Sequence, residues 1–317
     1  MSSEQACGSG VAVVITTFDH AHFLGAAITS ALSQSIAADE VIVVDDGSHD
    51  DPEHVVSRFA SVRLIRQANA GLAAARNTGW RAARSDLVVF LDADDRLLPN
   101  ALEVNRARLV AAPEAGFAYA AYVTVDAASG ATRPVDFRPA TDGFASFLRG
   151  NVIGMHATVM YRRDRLAEVG GFQVGLPACE DYELYLRMSR RFPVVHGPEP
   201  VAEYWQHGSN MSRDCALMLC SALSVLRSYQ RDARASGMTR AHRQGVAAWK
   251  RYYTDAWWRA LMRSARSHAL DPALLRQAPV LVRHAPLAMT AAPARVAWGR
   301  LVRVVPPRLR TSARIAS

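Results

Sequence analysis

The sequence is poor in cysteine and has no long apolar run. Its four cysteines, Cys7, Cys179, Cys215 and Cys220, form no CxxC pair with a ligand-rich partner. This argues against a disulfide framework or a structural zinc site and favours a reduced compartment. No stretch of about 18 uncharged apolar residues occurs, so we expect no membrane-spanning helix. The first ten residues lack the pattern of a secretory signal, and we expect a cytoplasmic location.

A glycine-rich turn is also missing after the first apolar run. A dinucleotide-dependent dehydrogenase needs GxGxxG at this point, whereas residues 16–23 read TTFDHAHF. A nucleotidyltransferase would place a glycine-rich, basic loop there. A phosphatase with an aspartyl nucleophile would carry a hydroxyl residue soon after its DxD, where Arg96 and Leu97 stand. These three classes of enzyme are therefore excluded.

The sequence contains enough hydrophobic residues to form a large core. Of 317 residues, 50% are hydrophobic and 21% are charged, which excludes disordered, collagen-like and coiled-coil chains. Residues 215–317 contain 18 basic and 3 acidic side chains, a net charge of +15, whereas residues 1–214 carry a net charge of −7. We predict a catalytic domain over 1–214 and a basic, mainly helical C-terminal extension over 215–317.

Apolar runs alternate with amphipathic stretches in the first hundred residues. Continuous β-branched runs are typical of buried parallel strands, and the alternation predicts an α/β fold with a mostly parallel central sheet flanked by helices. The predicted strands are Val11–Thr16, Val41–Asp45, Val62–Arg66 and Leu87–Asp92, and the predicted helices are about Phe23–Gln34, Pro52–Phe59 and Leu72–Ala83. Ligands of such sheets bind at the carboxyl ends of the strands.

The elements after residue 100 are predicted with less regular spacing. A helix is expected near Asn100–Val110, and strands are expected near Ala118–Val125 and Met155–Tyr161. A loop is predicted for Asp126–Pro139, and helices for Arg163–Val169 and Asp181–Arg191. From Cys215 onward the pattern is mostly helical.

Three carboxylates, Asp92, Asp94 and Asp95, follow the third strong strand. Because they repel one another, a cation would stabilise them, and oxygen ligands with room for phosphates suit Mg²⁺ or Mn²⁺. Such an ion would neutralise charge on a departing diphosphate. The alternative is an acidic N-terminus for the following helix.

Other polar residues follow the neighbouring strands. Asp45 and Asp46 could accept from a ring N–H or a ribose hydroxyl, or form an ordinary Asp-Gly turn. Phe18 could stack on a nucleobase or pack in the core. Arg76 could meet a base or a phosphate, or form a surface ion pair.

Taken together, the motifs resemble family 2 glycosyltransferases of the GT-A fold. They cover about residues 11–188, and they read VVITTFDHAHFLGAAITSALSQS, VIVVDDGSHDD, NAGLAAARNTGW, LVVFLDADD and EDYELYLRM. The resemblance implies inverting transfer of a sugar from a nucleotide-sugar donor, UDP-sugar favoured, to a hydroxyl acceptor. It also implies assistance from Mn²⁺ or Mg²⁺. A role in cell-surface polysaccharide or glycolipid synthesis on a glycan or lipid-linked glycan is expected.

The resemblance also assigns roles to residues. It implies that Thr16 and Phe18 line the base pocket, that Asp46 contacts the base beside Asp45, and that Arg76 lies near the base and phosphates. Asp92 and Asp94 match the DxD motif, and Asp95 is a further metal ligand. Phe18 stands where the family usually has tyrosine and Asp19 where it has asparagine, which affects the preference for the donor base.

The remaining roles concern the acceptor side. Glu180-Asp181 matches the acidic pair of the family, with Asp181 as general base. A positioned base contributes on the order of 10²–10⁴ in rate, while helix capping is the alternative. His207 resembles the loop that closes over the diphosphate, where it would complete a metal site, and Arg213 would meet phosphate; a solvated loop histidine is the alternative.

A second class of function is a non-catalytic binding protein that uses its basic region to contact a membrane or nucleic acid. Nucleic acid is not expected, because no zinc finger, helix-turn-helix or aromatic-basic pattern occurs. The segment Ala294–Val305 mixes arginine, tryptophan and valine, as interfacial helices do. We therefore expect residues 271–317 to contact an anionic membrane surface, at the inner face of the membrane.

Overall fold

The computed structural model describes residues 10–208, 210–266 and 271–304, with the side chains of 298–304 left out. The chain divides into two compact units, Met1–Asn210 and Met211–Ser317. Cys7 and the end of the predicted segment Ala294–Val305 lie outside the described residues.

The described part of the first unit contains one sheet of nine strands. Eight of them lie in the order β3-β2-β1-β4-β8-β6-β9-β5, and β7 pairs with β6. The strands are β1 Val11–Thr17, β2 Glu40–Asp45, β3 Val62–Arg66, β4 Leu87–Asp92, β5 Arg96–Leu97, β6 Phe117–Asp126, β7 Thr132–Pro134, β8 Val159–Arg162 and β9 Val194–Gln206. The four strands β3, β2, β1 and β4 are mutually parallel. Strand β8 pairs antiparallel with both β4 and β6, and β6 pairs parallel with β9.

Helices cover the sheet and connect its strands. In the first unit they are α1 Ala21–Leu32, α2 Pro52–Val56, α3 Leu72–Ala82, α4 Ala101–Ala111, α5 Phe144–Arg149, α6 Arg163–Glu168 and α7 Glu180–Ser189. The seven residues of β1 are all buried, because helices pack on both faces of a parallel sheet. The predicted α/β class is therefore confirmed, with parallel pairing concentrated in the four N-terminal strands of the sheet.

One local prediction in this unit is wrong, and one strand has no counterpart among the predicted elements. The expected loop Asp126–Pro139 contains the short strand β7. Residues 194–206, for which the pattern predicts no element, form β9 although Pro198 and Pro200 interrupt its sequence. A strand tolerates proline where its pairing is irregular, and the pairing of β6 with β9 shifts register in this stretch.

Helix α3 packs closely on the sheet at Gly79. A Cβ at Gly79 would overlap Val14 Cγ1 and lie 3.2 Å from Val44 Cγ2. We expect Gly79→Ala to destabilise the protein by about 1–3 kcal/mol, as overpacking does, measured as a lower midpoint of urea denaturation. Gly25→Ala in α1 is the matched control, because its Cβ would meet Val55 Cγ1 at an ordinary 3.7 Å and should stabilise the helix by about 0.5–1 kcal/mol. Equal midpoints for the two variants would contradict this account of the packing.

The second unit is helical in its described part, as expected for the C-terminal region. Its helices are α8 Cys215–Ser228, α9 Gln230–Ala235, α10 Thr239–Arg266, α11 Pro272–His284 and α12 Pro286–Val304. Buried side chains such as Leu219, Leu226 and Trp257 form its interior. Among the described residues, no helix combines the length and the apolar character required to cross a membrane.

Candidate active site

The carboxyl ends of the parallel strands bring the predicted polar residues to one edge of the sheet. In the register of β1 with its neighbours, Thr16 lies beside Asp92 of β4, and Thr17 lies beside Asp45 of β2. The Thr16 hydroxyl donates to Asp92 Oδ1 at 3.1 Å. Parallel strands end on the same side of a sheet, so residues far apart in sequence become neighbours here.

Asp45 is fully buried and forms the Asp-Gly turn that was the alternative to ligand binding. Its Oδ1 accepts a hydrogen bond from the Ser48 N–H at 2.9 Å, and its Oδ2 lies 3.2 Å from Arg66 Nε. The turn continues through Gly47 at φ +84°, a conformation that favours glycine. Both oxygens of Asp45 are thus occupied by groups of the protein.

Asp46 fixes the loop that leads from β3 into α3. Its Oδ1 accepts from Gln67 Nε2 at 2.7 Å and from the Ala70 N–H at 2.9 Å. Its Oδ2 accepts from the Gly71 N–H at 2.8 Å. Asp46 therefore shapes one wall of the strand-end region, and its direct contact with a base stays a prediction.

Phe18 is held outward at the same edge. Its side chain is 41% exposed, and the following residue, Asp19, has a φ of +53°. Asp19 Oδ1 accepts from the His49 N–H at 2.7 Å, and this hydrogen bond lowers the pKa of Asp19. Asparagine and aspartate tolerate the left-handed conformation better than most residues, so aspartate at this position keeps the turn and adds a charge. The exposed ring of Phe18 is available for stacking.

Arg76 joins two acidic motifs that are distant in sequence. Its side chain is 2% exposed, with Nη1 2.6 Å from Glu180 Oε1 and Nη2 2.8 Å from Asp92 Oδ1. Burial alone would lower the pKa of Arg76, but the charges of Asp92 and Glu180 raise it above its ordinary value. The predicted alternative of a surface ion pair is wrong, because the pairing is buried. A contact of Arg76 with a base or phosphate stays a prediction.

Asp181 follows Glu180 at the N-terminus of α7, after Cys179 in the left-handed region at φ +65°. Burial, together with the charge of Glu180, raises the pKa of Asp181 to about 7, although Arg76 opposes the shift. Its Oδ1 accepts from the Tyr182 N–H at 2.7 Å. A carboxylate whose pKa lies near neutrality is suited to proton transfer. The acidic side chains in the first turn of α7 also interact favourably with the positive end of the helix dipole. A capping role and a catalytic role for Asp181 are therefore compatible.

His207 lies beside Asp94 of the DxD motif, and its part in a metal site stays a prediction. Its Nε2 is 2.9 Å from Asp94 Oδ2, and its ring packs on Phe23 with centroids 4.8 Å apart. Asn210 holds this arrangement, since its Oδ1 accepts from the His207 N–H at 2.6 Å. Asn210 was missed by the sequence analysis, because its position in the loop follows no pattern.

Asp95 is the buried carboxylate of the motif. Its Oδ1 accepts from the Trp205 N–H of β9 at 3.0 Å. Burial, with the charges of Asp94 and Asp92, raises the pKa of Asp95 well above its usual range. Across residues 10–208, 210–266 and 271–304, no three His, Cys, Asp or Glu side chains are arranged to hold a metal ion together.

A buried aromatic cluster lies behind Arg76 and contains His156, to which the sequence analysis assigned no role. The His156 Nε2 lies 3.2 Å from the Tyr161 hydroxyl, and its ring centroid lies 5.4 Å from that of Phe172. Burial, with the charge of Arg76, lowers the pKa of His156 well below its ordinary value, so the imidazole is neutral. The guanidinium of Arg76 lies 5.6 Å from the centre of the Phe172 ring. This cluster forms the apolar support of the ion-paired arginine.

Arg213 belongs to the second unit, where it ends the short 3₁₀ turn Met211–Arg213 and is exposed. Its contact with phosphate stays a prediction. The remaining predicted site residues lie in the first unit. There the edge offers an exposed aromatic ring, a partly exposed carboxylate at Asp92 and a half-buried carboxylate at Asp181 with a pKa near 7. This combination can bind a polar ligand and accept a proton from it.

The chain belongs to the family described as Glycosyl transferase family 2, whose model matches residues 12–170. It is 35% identical over 104 residues to the cholesterol galactosyltransferase of Borreliella burgdorferi, and this alignment covers 31% of this chain and 29% of that protein. It is 32% identical over 186 residues to the O-antigen biosynthesis protein RfbC of Myxococcus xanthus, which covers 56% of this chain and 14% of that protein. The alignments thus span less than a third of the length of these relatives.

Solved structures share the fold over most of the chain. S. aureus TarS 1–349 superposes with a TM-score of 0.62 at 15% identity, covering 89% of this chain and 83% of that one. The mannosyltransferase PcManGT from Pyrobaculum calidifontis, in complex with GDP-Man and Mn²⁺, gives 0.59 at 19% identity, covering 92% and 87%. The fold is therefore of the GT-A glycosyltransferase type, as predicted.

Proposed function

We propose that the protein transfers a sugar, with inversion, from a nucleoside-diphosphate sugar to a hydroxyl group of a glycan or lipid-linked glycan. The observation that carries this proposal is the bridge formed by Arg76, which ties Asp92 of the DxD motif to Glu180, the residue before Asp181. A donor held at Asp92 and a base at Asp181 would then flank one reacting centre. Asp181 lies within range of the charges on both Arg76 and Asp92.

The base pocket of the donor is assigned to the loops around Phe18 and Asp46. The exposed Phe18 ring would stack on the base, and Thr16, two residues earlier in β1, lies next to Asp92. A uracil base is favoured because TarS has been solved with UDP-GlcNAc. The complex of PcManGT with GDP-Man keeps a guanine nucleotide as the second choice.

Inversion follows from a single displacement assisted by Asp181. The acceptor hydroxyl attacks the anomeric carbon from the face opposite the diphosphate. As the new bond forms, Asp181 accepts the hydroxyl proton, and the bond to the diphosphate breaks so that the nucleoside diphosphate leaves with the electron pair. Such a base must be ionised in the complex. Glu180 is held by Arg76 at 2.6 Å and therefore acts through position and charge rather than by taking the proton.

The residues present fit a divalent ion that is completed by the donor. Asp92 is one-third exposed, and Asp94 Oδ2 and His207 Nε2 face each other at 2.9 Å. Mg²⁺ and Mn²⁺ usually bind through one or two carboxylates together with substrate phosphates, so a complete protein cage is not required. Asp94 and His207, which lie side by side, would hold the ion together with the phosphates of the donor. When bound, it would offset negative charge on the departing diphosphate.

The acceptor is assigned by analogy with two relatives. One is named for O-antigen biosynthesis and the other for transfer of galactose to cholesterol. The first name points to synthesis of a polysaccharide and the second to a lipid acceptor, and together they support polysaccharide or glycolipid synthesis as the setting of the reaction.

A test of the proposed reaction uses α-configured UDP-, GDP- and dTDP-sugars with Mn²⁺ and a panel of hydroxyl acceptors. Proton NMR of the product then reports the configuration of its anomeric carbon. The proposal predicts a β-linked product from one donor. An α-linked product would contradict inversion, and no transfer from any donor would favour a non-catalytic binding protein.

The pH dependence of the reaction should reflect Asp181. Because burial and Glu180 raise its pKa to about 7, the group is protonated and inactive as a base below that value. We expect kcat/KM, which reports the free enzyme, to rise about tenfold per pH unit below 7 and to level off above it. An acid limb centred near pH 4, the ordinary range of aspartate, would contradict the assignment of this group as the base.

A further inference from the structure

Helix α11 has buried apolar residues on one side and exposed apolar residues on the neighbouring side. Leu274 and Leu281 are buried in the second unit, whereas Leu275 and Val282 are each 50% exposed. Pro279 lies between the exposed pair and is also exposed. The spacing of 275, 279 and 282 places these residues on one side of a helix. The outward side of α11 is therefore apolar where a solvated helix would be polar.

The same character continues past Pro286 onto α12. Leu287 is 85% exposed, the highest exposure of any large apolar side chain in the described part of the chain. Among the exposed side chains of residues 273–297, the polar ones are Arg276, Arg283 and Thr290. Residues 272–304 contain no aspartate or glutamate. We call the exposed set Leu275, Arg276, Pro279, Val282, Arg283 and Leu287 the α11–α12 face.

The α11–α12 face is held in place by contacts on the inner sides of its helices. Trp257 Nε1 donates to the Leu274 carbonyl at 2.8 Å, and Trp258 Nε1 donates to the Met289 carbonyl at 3.2 Å. Arg295 forms a half-buried ion pair with Asp255 of α10 at 2.6 Å. The outward residues are therefore displayed by packed helices within this unit.

We propose that the α11–α12 face docks on an anionic membrane surface. Helices that lie at a bilayer interface combine apolar residues, which enter the headgroup region, with arginines that reach anionic lipids. Arginine can bury its aliphatic stem beside Leu275 or Val282 while its guanidinium stays at the phosphates. The net charge of +15 over residues 215–317 attracts the same surface.

Nucleic acid fits this face less well than lipid does. Binding to a phosphate backbone depends on the number of cationic contacts, whereas the α11–α12 face presents two arginines among exposed leucine, valine and proline. Contact with phosphates does not stabilise an exposed leucine, whereas its transfer from water to the acyl boundary of a bilayer is favourable.

The test is cosedimentation of the full-length protein with vesicles, without any sugar donor, so its result is independent of the proposed reaction. We expect binding to phosphatidylcholine vesicles that contain phosphatidylglycerol and much weaker binding to pure phosphatidylcholine. The triple variant Leu275→Ser, Val282→Ser, Leu287→Ser should reduce partitioning at least about tenfold. The double variant Arg276→Gln, Arg283→Gln should reduce it about 25-fold, since each arginine near an anionic surface contributes about fivefold.

Two control variants separate the face from general effects. Arg231→Gln with Arg234→Gln removes the same charge from exposed positions on α9, and it should weaken binding much less than the α11 pair. Val110→Ser removes an exposed apolar side chain of the first unit, and it should leave binding unchanged. Circular dichroism of every variant confirms that the fold is retained.

Three results would overturn the proposal. Absence of binding to anionic vesicles by the parent protein is the first. Equal losses for the α9 and α11 arginine pairs would assign binding to net charge rather than to the face. Binding of the parent to an oligonucleotide, reduced by the α11–α12 variants while vesicle binding is unchanged, would assign the face to nucleic acid.

Discussion

Replacement of Asp181 by asparagine should reduce sugar transfer at least about a hundredfold while nucleotide affinity stays within about twofold of the parent. The reason is chemical, because asparagine keeps the shape of the side chain and cannot accept the acceptor proton. A positioned base contributes on the order of 10²–10⁴ in rate. The binding side of the edge, which depends on Phe18, Asp46 and Asp92, is left intact.

The measurement is a pair of assays on the same preparation, one for kcat and one for the nucleotide Kd. Asp164→Asn is the matched control, since Asp164 is an exposed carboxylate on α6, and this change should leave both values unaltered. Transfer by Asp181→Asn at the rate of the parent would refute the proposed mechanism. An equal loss of nucleotide binding and of rate would instead assign Asp181 to donor binding.

Replacement of Arg76 by methionine should destabilise the protein by about 3 kcal/mol. Removal of one partner of a buried ion pair leaves the other charge uncompensated, which costs about 3–5 kcal/mol. We take the lower end of this range, because one of the two carboxylates, Asp92, keeps one-third of its side chain in water. The other, Glu180, is almost buried. For a unit of this size, the loss corresponds to a decrease in Tm of about 6–12 °C.

Two further variants identify the source of this effect. Arg81→Met, at an exposed position on the same helix α3, should leave the Tm nearly unchanged. The double variant Arg76→Met, Glu180→Gln should recover part of the lost stability, because it removes the carboxylate left without a partner. If Arg76→Met and Arg81→Met melt at the same temperature, the buried bridge does not stabilise the fold.

The strands that carry the site could be predicted from the sequence because they are short, β-branched and buried on both faces. Val11–Thr17 and Leu87–Asp92 match their predicted bounds to within one residue. Strand β9 could not be predicted, since its Gly-Pro-Glu-Pro segment is typical of a loop. Its pairing depends on β6, a neighbour about 80 residues earlier in the chain, which local propensity does not record.

The location of the site residues was predictable, but their contacts were not. The carboxyl ends of parallel strands meet at one edge, so the positions of Asp45, Asp46 and Asp92 follow from topology. The bridge from Arg76 to Glu180 joins residues 104 positions apart, and no local pattern encodes it. The hydrogen bond that the buried Asp95 accepts likewise comes from Trp205 of the unpredicted strand β9.

The central claim, that this edge binds a nucleoside diphosphate with a metal, is tested most directly by thermal shift with UDP, GDP, TDP and CMP. Each nucleotide is measured with Mn²⁺, with Mg²⁺ and with EDTA. A ligand at about 100 times its Kd adds roughly 2.7 kcal/mol to stability. We predict a stabilising shift with one nucleoside diphosphate, UDP first, that EDTA abolishes and that Asp94→Asn weakens. No shift with any nucleotide under any of these conditions would contradict the account.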